Sequence, residues 1–126
     1  MLKLTYTENG FYLERLAQPL EEWVTARVIL ALRAGTRLHV EPSTASFLLP
    51  TDIPQVRHLE RQQEGEDAIA LSVCDAEYIE VSLQGTWMTS DSDGAEGVFV
   101  TSLSYSVEFF LIKLWEESQA RTRCLP

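Results

Sequence analysis

Leu2, Leu4 and Tyr6 alternate with Lys3, Thr5 and Thr7, the period of two that a strand with one buried face shows. Asn9-Gly10 follows, a pair that supplies the positive φ angles of a tight primed turn, and Phe11 to Leu16 resumes β-favouring residues. Residues 2–16 therefore predict a β-hairpin. From Pro19 the period changes: Leu20, Trp23, Val24, Val28, Ala31 and Leu32 recur every three or four residues, with Glu21 and Glu22 in the first turn, Arg33 near the end and Gly35 as a left-handed cap. A helix over 19–34 is predicted, its six-residue stripe facing inward with Trp23 fully buried, and Ile29 and Leu30 projecting beyond that stripe.

Arg37–Val40 and Ala45–Leu49 read as two short strands separated by Pro42-Ser43-Thr44, because proline removes a ladder donor. Residues 55–67 are polar and predict one helical turn around Val56 and Leu59 followed by a surface loop. Ala68–Cys74, Tyr78–Trp87 and Gly97–Leu103 alternate and are rich in β-branched residues, and Asp75-Ala76-Glu77 and the 90–94 stretch are turn chemistry. They predict an antiparallel meander, with Gly85 marking a bulge. After Ser104, a candidate N-cap, the positions Val107, Phe110, Leu111, Leu114 and Ser118 share a helical face, and Phe109 and Ile112 fall to its side. The predicted fold is a single α+β domain over residues 1–126: a mainly antiparallel sheet of about six or seven short strands packed with two main helices.

The 126-residue length suits one hydrophobic core. Charge then narrows the partners. Residues 1–60 carry six Lys/Arg against seven Asp/Glu, whereas residues 61–126 carry four against twelve, so most of the net charge of −9 belongs to the second half. Nucleic acid and anionic membrane are poor partners for such a surface, since phosphates are held chiefly by clustered Lys and Arg. No apolar run approaches the roughly 18 residues of a membrane span, and the alternating first residues do not resemble a signal peptide. Two cysteines, Cys74 and Cys124, make no disulfide framework, which points to a reducing cytoplasmic setting.

Three stretches together carry a family likeness: Ala26–Gly35 (ARVILALRAG), Val40–Pro50 (VEPSTASFLLP), and Ala95–Thr101 (AEGVFVT) leading into Phe109–Trp115. Taken over most of the chain, they resemble a family of small uncharacterised cyanobacterial proteins. The resemblance implies a cyanobacterial cytoplasmic protein and brings no activity, ligand or catalytic residue with it.

Candidate chemistry is sparse. Asp91, Asp93 and Glu96 around Gly94 and Gly97 form an oxygen-rich loop of the kind that holds Ca²⁺ or Mg²⁺, but the spacing lacks the bidentate Glu six positions after the glycine, so a solvated turn is the simpler reading. His39 and Glu41 share a strand face and are the weak candidates for an acid–base pair, while His58 and Glu60 add no recognised ligand spacing. Neither a G-x-S-x-G elbow nor a phosphate-binding glycine loop occurs, and Cys74 reads as a small hydrophobe within a strand. No cofactor is expected. The hydroxyls of Ser43, Thr44 and Ser46 suit the rim of a ligand pocket, or simply cap turns.

Two functions follow from different classes. The first is a non-enzymatic binding or assembly module, a homodimer or a partner of another protein, with Ile29, Phe109 and Ile112 as interface candidates because both helices are too apolar for one buried face each. The second is a small enzyme or small-molecule-binding protein whose pocket is bordered by the 41–46 loop.

Overall fold

The computed structural model describes residues 1–62, 65, 67–90 and 96–124. Alternation builds the first hairpin: β1 (Leu2–Thr7) pairs antiparallel with β2 (Gly10–Arg15), Leu4 opposite Leu13, and Leu2, Leu4 and Leu13 are buried. The turn differs in one respect from the expected primed type. Only Gly10 has positive φ, 121°, while Asn9 instead donates its N–H to Thr7 Oγ1 at 3.2 Å. The threonine hydroxyl thus stabilises the turn locally, and Asn9 is spared a left-handed backbone.

Helix α1 (Leu20–Arg33) starts at Pro19 and closes as expected. Gly35 takes φ 71°, its N–H bonds Leu32 O at 3.2 Å, and the Thr36 N–H reaches back to Ala31 O at 2.9 Å. That pair of bonds is a Schellman cap, which satisfies the terminal carbonyls. Trp23 is buried, 6% exposed, in a cluster with Met88 and Val100, and Leu20, Val24, Leu38 and Val98 pack around it. The rest of the inward stripe is shallower. Leu32, placed inward by its spacing, is 73% exposed, because the cluster under the helix is centred on Trp23 and Leu32, nine residues on, projects about 180° away from it.

The next strand, β3 (His39–Pro50), is continuous where the sequence predicted two strands and a loop. Pro42 lies inside it, and the strand order explains why: the sheet runs β2-β1-β6-β5-β3 with β4 pairing off this path to β5, so β3 is an edge. An edge strand has a row of N–H groups without ladder partners, and the missing proline donor costs little there. The sheet has six strands rather than seven for the same reason. Helix α2 (Gln55–Gln62) also exceeds the single turn predicted; Val56 and Leu59 are both buried, and their burial supports two turns of otherwise polar sequence.

β4 (Ile69–Val73), β5 (Tyr78–Thr89) and β6 (Gly97–Thr101) form the expected antiparallel meander. The β4–β5 turn is held by Asp75, whose Oδ1 accepts the N–H groups of Glu77 and Tyr78 at 2.8 and 2.9 Å. Close approach accounts for Gly85, read from sequence as a bulge. A Cβ there would collide with the Val100 carbonyl oxygen and lie 2.7 Å from Cζ of the buried Phe99 ring. Cys74 falls just beyond β4 and is exposed, a free thiol rather than a packed small hydrophobe, because the strand ends one residue before it.

Helix α3 (Tyr105–Cys124) begins where predicted: Ser104 Oγ accepts the Val107 N–H at 3.3 Å. Val107, Leu111 and Leu114 are completely buried on one face, and α3 packs against α2, with the His58 and Phe110 rings parallel and 5.9 Å apart.

Two compact units emerge, each built from separated stretches: Met1–Thr44 with Gln84–Ser102, and Ala45–Leu83 with Leu103–Pro126. The chain passes between them within β3 and within β5, so neither is a contiguous domain. The first holds the hairpin, α1, β6 and the second half of β5; the second holds α2, β4, α3 and the first half of β5.

Candidate functional site

The residues singled out from sequence do not converge. His39 and Glu41 are exposed on the edge strand β3, as are Thr44 and Ser46, with Ser43 half-buried. The 41–46 segment is strand, not loop, and lines neither described cavity. Ser46 Oγ instead lies 3.1 Å from Ser82 Oγ across the sheet. Asp91 and Asp93 lie outside the described residues. Glu96 is described: its Oε1 accepts the Glu8 N–H at 3.2 Å, and its carbonyl accepts the Thr89 hydroxyl at 2.8 Å. Among the described residues no group of three or more His, Cys, Asp or Glu is arranged to hold a metal ion.

The interface candidates differ from one another. Ile29 is 42% exposed on α1 and Ile112 is half-buried on α3. Phe109 is 43% exposed, but Lys113 Nζ sits 5.0 Å over its ring and Phe110 meets it edge-on at 6.2 Å. Leu30 (56%) and Leu32 (73%) are exposed too, and helical spacing puts them on either side of Ile29 rather than against each other.

A site that sequence reasoning missed lies where α1 meets the sheet. Strand pairing puts Lys3 and Thr5 of β1 opposite Val100 and Val98 of β6, and Met88 of β5 opposite Val98, so these side chains share one face of the sheet. Trp23 and Arg27, one turn apart on α1, lie over that face. Between them is a cavity of about 400 Å³, with Tyr6, Leu38, Ser90 and Glu96 completing its walls. The Arg27 guanidinium lies 4.9 Å, and Lys3 Nζ 5.6 Å, from the Trp23 ring centre. Both distances fall within cation–π range.

Each cation is held differently. Lys3 pairs with Glu14 on the neighbouring strand at 3.3 Å, the two residues being direct cross-strand partners. Arg27 makes no ion pair among the described residues. Tyr6 stacks on Phe11 at 5.6 Å and meets Trp87 edge-on at 5.7 Å, and desolvation by this burial raises its hydroxyl above the ordinary phenol pKa. A phenol is neutral across the physiological range even without this shift, so the shift acts only at alkaline pH. Gly97 admits the indole of Trp87, since a Cβ there would lie 2.5 Å from that ring.

A second cavity, about 380 Å³, is lined by Thr51, Asp52, Glu77 and Tyr78 at the strand ends. Its polar groups are largely committed to each other: the Thr51 N–H bonds Glu77 O at 2.9 Å and the Thr51 hydroxyl bonds Ala76 O at 2.8 Å. No cation faces it, and no apolar surface comparable to Trp23 and Met88.

An antiparallel sheet with α1 above the Lys3–Val100 face and a cation-flanked tryptophan beneath that helix defines a small α+β protein with a recess under one helix. The chain belongs to the Alr0857-like family, whose model matches residues 1–119. The family name derives from a cyanobacterial locus, in agreement with the likeness read from the three sequence stretches. Neither a curated protein nor a solved structure matches the chain.

Proposed function

We propose that this chain is a non-enzymatic assembly module that works in the cytoplasm as a homodimer, joined through the outer face of α1. The observation that carries the reading is the exposed stripe centred on Ile29, with Leu30 and Leu32 exposed on either side of it on one 14-residue helix. Large apolar side chains left open around one helix face mark a candidate interaction surface. Helical spacing aligns Glu22, Ala26, Ile29 and Arg33 in one exposed stripe, with Thr25 and Leu30 beside it.

That stripe is self-complementary. Two copies of α1 packed antiparallel about a two-fold axis bring Glu22 against Arg33 of the second copy and Ala26 against its Ile29, a carboxylate with a guanidinium and a small side chain with a large one. Neither Glu22 nor Arg33 forms an ion pair among the described residues. Phe109 and Ile112 are weaker interface candidates, because Lys113 and Phe110 lie against part of the phenyl ring and Ile112 is half-buried. The exposed free thiol of Cys74 suits a reducing compartment, and the charge of −9 disfavours nucleic acid and anionic membrane as partners. No described helix is long and apolar enough to cross a membrane.

A single helix pair buries less than the roughly 1,600 Å² of a standard interface, so the expected dimer is weak, with a Kd on the order of ten micromolar. Sedimentation equilibrium from a few to a few hundred micromolar tests it. Arg33→Glu should shift the chain toward monomer, and the double variant Glu22→Arg with Arg33→Glu should restore the dimer by exchanging the charges. A monomeric wild type throughout that range would rule the reading out.

A further inference from the structure

The inner side of α1 raises a separate question, because Arg27, which makes no ion pair among the described residues, lies over the Trp23 ring at a cavity in a chain whose net charge is −9. We propose that this cavity binds a small organic carboxylate with a flat, apolar body, held by Arg27 and Lys3 against Trp23.

The walls divide by chemistry. Trp23, Leu38, Met88 and Val98 supply apolar surface, and Lys3 and Arg27 supply charge beside it. A guanidinium lying over an indole keeps its in-plane N–H groups available, and that planar fork matches a carboxylate bidentately. Lys3, 3.3 Å from Glu14, places a second cation in the wall, its charge already balanced in part by that carboxylate. The cavity, at about 400 Å³, lies near the lower end of the range for small-molecule sites, which suits a body of one or two rings.

Charge count selects carboxylate over phosphate. Two cations, Lys3 and Arg27, are set against two carboxylates, Glu14 on Lys3 and Glu96 in the wall. With Lys3 already paired to Glu14, Arg27 is the one cation among the described residues left for an anion, so a single carboxylate placed there is matched, whereas the second charge of a dianion would find no unpaired cation. The cavity residues on α1, Trp23 and Arg27, lie about 120° around the helix from the Glu22–Ile29–Arg33 stripe, so Arg27→Gln and Arg33→Glu test ligand binding and dimerisation separately.

Benzoate is a suitable probe, followed by the indole N–H resonance of Trp23, which is assigned by its loss in Trp23→Phe. Saturable shifts with a Kd on the order of 1 mM are expected, with Arg27→Gln weakening binding about tenfold, as loss of one charge-assisted contact predicts. Arg27→Lys should fall between the two, and Arg37→Gln, outside the cavity, should bind like the wild type. Inorganic phosphate and benzamidine should give no saturable shift. The proposal is overturned if benzoate fails to saturate by about 20 mM, well above the expected Kd. It is equally overturned if Arg27→Gln, with an unchanged melting curve, binds as tightly as wild type, or if phosphate matches benzoate.

Discussion

Helices α1 and α3 look alike in sequence and behave differently in the fold. Each has an apolar stripe at helical spacing and two large apolar residues outside it, Ile29 and Leu30 on α1, Phe109 and Ile112 on α3. On α3 the stripe is sealed: Val107, Leu111 and Leu114 have no exposed surface. On α1 only Trp23 is buried, while Leu20, Val24, Val28 and Ala31 are half-covered. The difference lies in what each helix meets. Within its own unit α3 packs on a second helix, α2, whereas α1 is held by one large indole over Met88 and Val100. A helix propped on one ring leaves room beside that ring and apolar surface behind it, which are the two features assigned here to binding and assembly.

The sharpest way to break this comparison is to truncate the sealed face. Leu111→Ala should destabilise the protein by about 2–5 kcal/mol in urea unfolding, the range for a fully buried leucine. A loss below about 1 kcal/mol would mean α3 is no better packed than α1. Next in size is Gly85→Ala, expected to cost about 1–3 kcal/mol because the added methyl meets backbone and the Phe99 ring, neither of which is a flexible side-chain tip. Leu32→Ala on the open face should change stability by less than about 0.5 kcal/mol. If it costs as much as Leu111→Ala, the outer face of α1 is covered within the monomer.

The smallest effect concerns pH. Burial raises the Tyr6 hydroxyl above its unfolded value near 10, so its neutral form is favoured in the folded state. Its contribution is fully present below that unfolded value and is lost as pH rises through the higher folded value. Stability should therefore decline above about pH 10, and Tyr6→Phe should flatten part of that decline in melting curves recorded between pH 8 and roughly 11. An unaltered slope in the variant would assign the alkaline loss to other groups.

Much of the architecture was legible because its signals are local. Asn9-Gly10 reverses the chain, Pro19, Glu21 and Gly35 bracket α1, Asp75 closes the β4–β5 turn with its own carboxylate, and Ser104 starts α3. Each acts on its own backbone or on residues a few positions away, and alternation or helical spacing then assigns the faces. The edge position of β3, which lets Pro42 sit inside a strand, has no local signature. Nor has the length of α2, whose polar sequence is helical because Val56 and Leu59 find a core.

By itself, then, the sequence determined the α+β class, the order of the elements and the family, since hydrophobic period and turn chemistry are properties of neighbouring residues. Only the tertiary structure decided that Leu32 faces outward, that Cys74 is exposed, and that the Ser43–Ser46 hydroxyls line an edge rather than a pocket. It also gathered Lys3, Trp23, Arg27, Met88 and Glu96 around one cavity from three distant stretches of chain. Strand register and the seat of α1 on the sheet bring those side chains together, and both depend on pairings between residues that no spacing along the chain relates.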